Sequence, residues 1–174
     1  MFEKIKQWGE HEIYNYDTKT NNFLQFFENL YTTDDLEQLH HKSIDFNELK
    51  HKENLLDDRE TDLHSKFYKK IKSDNEFKEL YCNFVKDIYK TFFPEEKIMI
   101  FQSFPSVRLQ FENSITVPPH CDSDELGCHP IGERNFLVPI TKMFNSNTLF
   151  IESEPGKKDP FKLTEFFKNA RNYG

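Results

Sequence analysis

Proline is missing from the first 93 residues of this chain: all eight prolines of the 174-residue sequence lie at Pro94 or beyond it, together with four of the five glycines. Helix breakers are rare before Pro94 and frequent after it, which predicts one domain with a mainly helical part (1–93) and a strand-and-turn part (94–174). Cysteine is scarce too. Cys82, Cys121 and Cys128 are odd in number, which excludes a fully paired disulfide framework, and Met1–Lys6 lacks the apolar run of a secretory leader. The expectation is a reduced, cytoplasmic protein. No stretch approaches the ~20 consecutive apolar residues that span a bilayer, so no membrane partner is expected. Positive charge is also short: 23 Lys and Arg against 30 Asp and Glu leave a net charge of -7. Without a basic stripe there is no field for a phosphate backbone, which excludes nucleic acid as a partner. Gly-x-Gly-x-x-Gly, a Walker loop and a Gly-x-Ser-x-Gly elbow are all absent, removing the usual nucleotide cradles and the hydrolase nucleophile.

What the chain does have is aromatic mass, 19 Phe, 7 Tyr and one Trp, enough large rings to build a core despite the polar composition. Residues 1–20 are irregular in pattern and predict a short strand or turn, anchored by Trp8, Ile13, Tyr14 and Tyr16. From Asn22, an acceptable N-cap, Phe23, Leu24, Phe26, Phe27, Leu30 and Tyr31 recur at helical spacing. Asp34 with Glu37 marks a second start, with Leu36 and Leu39 as its apolar face. The charged run 40–58 reads as loop. Leu63, Phe67 and Ile71 predict a short amphipathic helix. A longer one is expected from Ser73, capped by a Ser73–Glu76 box and carrying Phe77, Leu80, Tyr81, Phe84, Val85, Ile88 and Phe92 until Pro94 ends it. That stripe is core packing, and Cys82 within it is assigned no chemistry.

Beyond Pro94, runs rich in β-branched and aromatic residues predict strands over 97–104, 106–111, 114–117, 135–141 and 148–152, separated by turn residues such as Gly132 and Pro155-Gly156. Many short strands under a helical layer point to an α+β protein with a jelly-roll or barrel.

Potential metal ligands crowd into one stretch, Val117-Pro118-Pro119-His120-Cys121-Asp122-Ser123-Asp124, continuing to Gly127-Cys128-His129-Pro130. On an extended segment residues i and i+2 share a face, so His120 and Asp122 present an imidazole and a carboxylate to one point, two of the three protein ligands of a non-haem Fe(II) site. Read differently, His120, Cys121, Cys128 and His129 are four zinc-type ligands, although no Cys-x-x-Cys knuckle orders them. Bland roles stay open as well: a turn-capping Asp, a His bonded to a carbonyl, a Cys packed as a small hydrophobe.

Four blocks in order carry a resemblance: Val107-Arg108-Leu109-Gln110; His120-Cys121-Asp122-Ser123-Asp124; Glu133 to Thr141; and Asn147 to Gly156. Together they resemble the 2-oxoglutarate/Fe(II)-dependent oxygenases, nearest the streptomycin-biosynthesis-type and phytanoyl-hydroxylase-like branch. The resemblance implies a double-stranded β-helix of cupin-like shape with N-terminal helices packed on it. It also implies Fe(II) held by His120 and Asp122, with 2-oxoglutarate and dioxygen as cosubstrates for hydroxylation of a small molecule. Gln110 falls where the family often places a polar contact to the cosubstrate, Arg108 shares its face by the period of two, and Asn135 matches the Asn of the block after the motif; an ion pair for Arg108 and a satisfied turn for Asn135 are the plainer roles.

The family also requires a second, distant His and a later Arg or Lys. No His follows His129, and Arg171 with a few lysines are the only late cations. Residues 166–174 resemble the approach to the missing strands, so the expectation is a chain incomplete at its C-terminus, unless His129 itself closes the triad. A non-catalytic cupin-like binding protein and a zinc-stabilised interaction module are the competing readings.

Overall fold

The computed structural model describes residues 2–8, 11–42, 62–109, 129–130, 132–144 and 148–149. Within them the protein combines a β-hairpin, three α-helices and segments after Pro94 that lie against the helices. Strands β1 (Glu3–Trp8) and β2 (His11–Asn15) pair antiparallel, from Glu3 opposite Asn15 to Trp8 opposite His11, with a bulge at Ile5. Glu12 accepts from Lys4 across this hairpin and from Tyr14 on its own strand. Those two bonds, Lys4 foremost, hold the Glu12 carboxyl below its ordinary value, and the bond to Glu12 raises the Tyr14 phenol. Two of the expected anchors do pack: Tyr14 meets Phe92 edge-on at 4.8 Å and Tyr16 meets Phe84 at 5.2 Å. Ile13 does not, being half exposed.

Asp17 shapes the approach to the first helix. Its carboxylate accepts from Thr20 Oγ1 at 2.7 Å and from the backbone amides of Lys19 and Thr20, an Asx-type turn that replaces backbone bonds with side-chain ones. Helix α1 (Phe23–Tyr31) then starts at Asn22, whose Oδ1 takes the amide of Gln25 at 3.1 Å, as its cap role predicts. Phe23, Phe27, Leu30 and Tyr31 form the buried face.

The helix closes on Thr32 at φ 54°, the left-handed region. For a β-branched residue that conformation costs about 1–2 kcal/mol, part of which glycine loses again through greater freedom in the unfolded chain. Thr32→Gly is therefore expected to stabilise the protein by about 0.5–1 kcal/mol, read as a higher urea midpoint. An unchanged or lower midpoint would refute the strain argument.

A 3-10 turn (Leu36–Lys42) follows, with Leu39 buried, at the start signalled by Asp34 and Glu37. Most of the charged run read as loop lies outside the described residues. Helix α2 (Asp62–Ser73) buries Leu63, Phe67 and Ile71 as its spacing requires. Helix α3 (Asn75–Phe92) buries Phe77, Phe84, Val85 and Ile88 and ends just before Pro94.

Its cap corrects the expected one. Asp74, not Ser73, accepts the Phe77 amide, at 2.8 Å, while Ser73 is the last residue of α2 and turns its hydroxyl to the Lys70 carbonyl. Ser and Asp are both competent caps. The amide three residues on decides between them, and Phe77 N is reached only from position 74.

The Asp74 carboxylate also meets Lys70 Nζ at 2.7 Å. Lys70 first, then the Phe77 amide, hold its pKa below the ordinary carboxylate value. A depressed acid pKa contributes stability above the unfolded-state value, and that contribution is lost as pH falls through the folded one. Asp74→Asn keeps the cap acceptor but cannot titrate, so its stability is expected to fall less than wild type between about pH 5 and pH 2. Lys70 is half exposed, so the difference should be small and salt-sensitive. Parallel acid profiles would count against the assignment.

Beyond Pro94 the strand expectation is not met within the described residues. Residues 97–104, 106–109, 135–141 and 148–149 carry no ladder, and the two-stranded sheet at the N-terminus is the only sheet found there. The period of two survives in burial, however. Val107 and Leu109 pack on the helical core while Arg108 between them is exposed; Val138 and Ile140 pack on it while Leu137, Pro139 and Thr141 are exposed. Polar bonds hold these segments to the helices: Tyr68 Oη accepts the Val107 amide at 3.3 Å, and Tyr81 Oη donates to the Gln102 carbonyl at 3.1 Å. Phe136 rests on Phe92, 5.7 Å between ring centroids.

Candidate functional site

Of the residues singled out in the sequence, His120, Asp122 and Gln110 lie outside the described residues, as do Cys121 and Cys128. Their geometry therefore stays with the sequence pattern. Among the described residues, no group of three or more His, Cys, Asp or Glu side chains converges on one point. Arg108 and Asn135 are described, and both are exposed. They belong to the two segments whose alternate residues, Val107 with Leu109 and Val138 with Ile140, face the helices. Thus the blocks before and after the His120–Asp122 motif share one helical layer as backing. They turn a polar residue of each away from it.

His129 is built into a defined turn. The amide of Glu133 donates to the Pro130 carbonyl at 3.2 Å, and Gly132 sits at φ 92°, a left-handed conformation that glycine adopts without a Cβ clash. This return brings the Glu133 carboxylate to His129, with Nδ1 and Oε2 2.7 Å apart and both side chains partly covered. A carboxylate beside Nδ1 orients the ring and favours the tautomer that carries its proton on that nitrogen, with Nε2 as the acceptor. The pair was not legible as a contact in the sequence, although the spacing of four and the intervening glycine permit it.

Two features escaped the sequence reading. His64 is 1 % exposed on the core face of α2. Its position, one turn before Phe67, was the available signal. The other is a groove of about 400 Å³ between α1, the 3-10 turn and the Ile140–Lys142 segment. Leu24, Leu36 and Ile140 give it an apolar lining, and Glu28, Asp34, Asp35 and Glu37 give it an acidic one. Lys142 stands at the same groove, and its backbone amide donates to Glu37 Oε1 at 3.4 Å, tying the distant segment to the turn.

No family model matches the chain, and no curated protein or solved structure compared with it does either.

Proposed function

We propose that the protein is a 2-oxoglutarate/Fe(II)-dependent oxygenase acting on a small molecule, on a double-stranded β-helix, with residues 106–109 and 135–141 on either side of its metal motif. The observation that carries this reading is the shared backing of those two segments. Both flank the His120-x-Asp122 pattern, both bury alternate residues against one helical layer, and the pattern itself offers a neutral nitrogen and an anionic oxygen, a donor set that fits Fe(II).

In this reading His120 and Asp122 hold the metal. Arg108 is a fixed cation suited to a carboxylate, and Gln110 and Asn135 are hydrogen-bonding side chains suited to orienting 2-oxoglutarate. With iron and 2-oxoglutarate bound, the site supplies oxidative decarboxylation coupled to hydroxylation of a C–H bond. His129 is the only histidine after Asp122, and Glu133 orients its ring as carboxylates orient metal-bound histidines elsewhere. It is the candidate third ligand within this chain.

Anaerobic titration of the protein with Fe(II) and 2-oxoglutarate tests the reading. A weak visible charge-transfer band that saturates at one iron per chain is expected. A folded protein that gives no band at millimolar cosubstrate would refute it. His129→Ala then decides the third ligand, because loss of the band assigns it and an unchanged titration removes it.

A further inference from the structure

The groove between α1 and the 3-10 turn joins an apolar lining, Leu24, Leu36 and Ile140, to four carboxylates and one lysine. Side chains of this kind complement a segment that is both aromatic and cationic. A small neutral molecule would match the apolar lining but leave the excess of acid, four carboxylates against one lysine, unmatched.

Apart from Lys66–Lys72, which is already built into α2, the chain contains one such segment. Between residues 157 and 171 it carries Lys157, Lys158, Lys162, Lys168 and Arg171 against Asp159 and Glu165, five cations less two anions, a charge of +3; with -7 for the whole, the remaining residues carry -10. Phe161, Leu163, Phe166 and Phe167 are interleaved with these cations. The stretch is too interrupted by acids to be a nucleic-acid stripe, but it is the longest net-positive stretch outside the described residues. It lies outside the described residues, so the argument rests on the groove and on complementary chemistry. Reach is no obstacle: Lys157 lies 15 positions after Lys142, at the groove, a span of up to about 50 Å.

We propose that residues 157–171 dock in this groove of the same chain, their aromatic side chains on Leu24, Leu36 and Ile140 and their lysines against Asp34, Asp35 and Glu37. The contact would bring the last part of the chain onto the helical layer and neutralise much of its acidic edge. It is independent of the oxygenase reading.

Zero-length carbodiimide cross-linking of the full chain, with peptide mapping of the monomer fraction, tests it. An isopeptide bond from Lys162 to Glu37 or Glu28 is expected. Reversing the other cations (Lys157→Glu, Lys158→Glu, Lys168→Glu) should reduce that link about tenfold while leaving its two reacting groups in place. Asp34→Lys with Asp35→Lys should do the same alone, and the combined variant should recover the link, since charge again meets opposite charge. Where a variant loses its helical circular dichroism, the wild-type link is followed with salt instead. It should fall steeply between about 50 and 500 mM NaCl as the screening length shrinks. Absence of the link, indifference to both reversal and salt, or a link found only between two chains would overturn the proposal; the last would assign the groove to a second copy.

Discussion

Phe67→Ala is expected to destabilise the protein by about 3–5 kcal/mol, the range for truncating a fully buried aromatic ring. Phe67 has no exposed surface and sits where all three helices meet. Its ring stacks on Phe27 of α1, 5.4 Å between centroids and 11° from parallel, and meets Phe77 of α3 edge-on at 5.9 Å. Its chain neighbour Tyr68 lies edge-on at 5.1 Å and holds the Val107 amide. Removing the ring thus opens a cavity at a junction that α1, α2 and α3 cannot close together, because each is held by further contacts: Phe26 on Phe77 at 4.5 Å, Phe23 on Phe84 at 5.1 Å, and the Tyr31 hydroxyl donating to the Leu63 carbonyl at 2.9 Å. Against a total stability of roughly 5–15 kcal/mol for a domain, the variant should lose most of its cooperative transition at 37 °C. The measurement is the urea midpoint at unchanged slope, with Ile100→Ala as control. Ile100 is 93 % exposed, so its loss should stay within about 0.5 kcal/mol. A cost below about 1 kcal/mol at Phe67 would mean that the helices do not assemble around that ring.

The second large effect concerns the proposed metal site. His120→Ala and Asp122→Ala should each weaken Fe(II) binding by about a hundredfold or more, since even residues that only orient a ligand are worth 10–100-fold. The band formed with 2-oxoglutarate should vanish in both, at unchanged helical circular dichroism. Asp122→Glu should retain a fraction of the affinity, because it keeps the anionic oxygen but displaces it by one methylene. Arg108→Ala is expected to leave Fe(II) affinity intact and to raise the concentration of 2-oxoglutarate needed for the band, a split that separates cosubstrate binding from metal binding. Cys121→Ser and Cys128→Ser discriminate against the zinc module, which alone predicts that either change removes stoichiometric zinc and folding together. Equal Fe(II) affinity in wild type and Asp122→Ala would end the oxygenase proposal.

The residues show where sequence reasoning reaches and where it stops. Helical period is local, so Phe23, Phe27 and Leu30, then Leu63, Phe67 and Ile71, then Phe77, Phe84 and Ile88 announced both their helices and their buried faces. Pro94 announced the stop, since a ring without an amide proton cannot continue the ladder. The cap of α3 was legible only to within one residue, because Ser73 and Asp74 offer similar oxygens and the choice lies in which one meets the Phe77 amide in space.

Strand reading stops for a different reason. Val107 and Leu109, then Val138 and Ile140, turn inward while Arg108, Leu137 and Pro139 stay exposed, although the sequence pattern marks these runs only as strands, with no inner face assigned. A ladder, however, is a relation between two segments, and a period of two says nothing about which partner lies alongside. The hairpin of β1 and β2 illustrates the converse. Its residues are polar and mostly exposed, so little hydrophobic alternation marked it, and pairing through the backbone made it a sheet.

The chemistry divides in the same way. The sequence by itself determined the donor types at His120 and Asp122, the dense aromatic supply of the core, the helical stripes and the sign of each charged stretch, because these are properties of residues and their near neighbours. Only the tertiary structure decided that Phe27, Phe67 and Phe77 share one junction, that Glu133 turns back onto His129, and that Glu28, Asp34, Asp35 and Glu37 line one groove with Ile140. Ile140 reaches that groove from more than 100 positions away because Val138 and Ile140 gain by leaving water against the helices, and such burial acts without regard to distance along the chain.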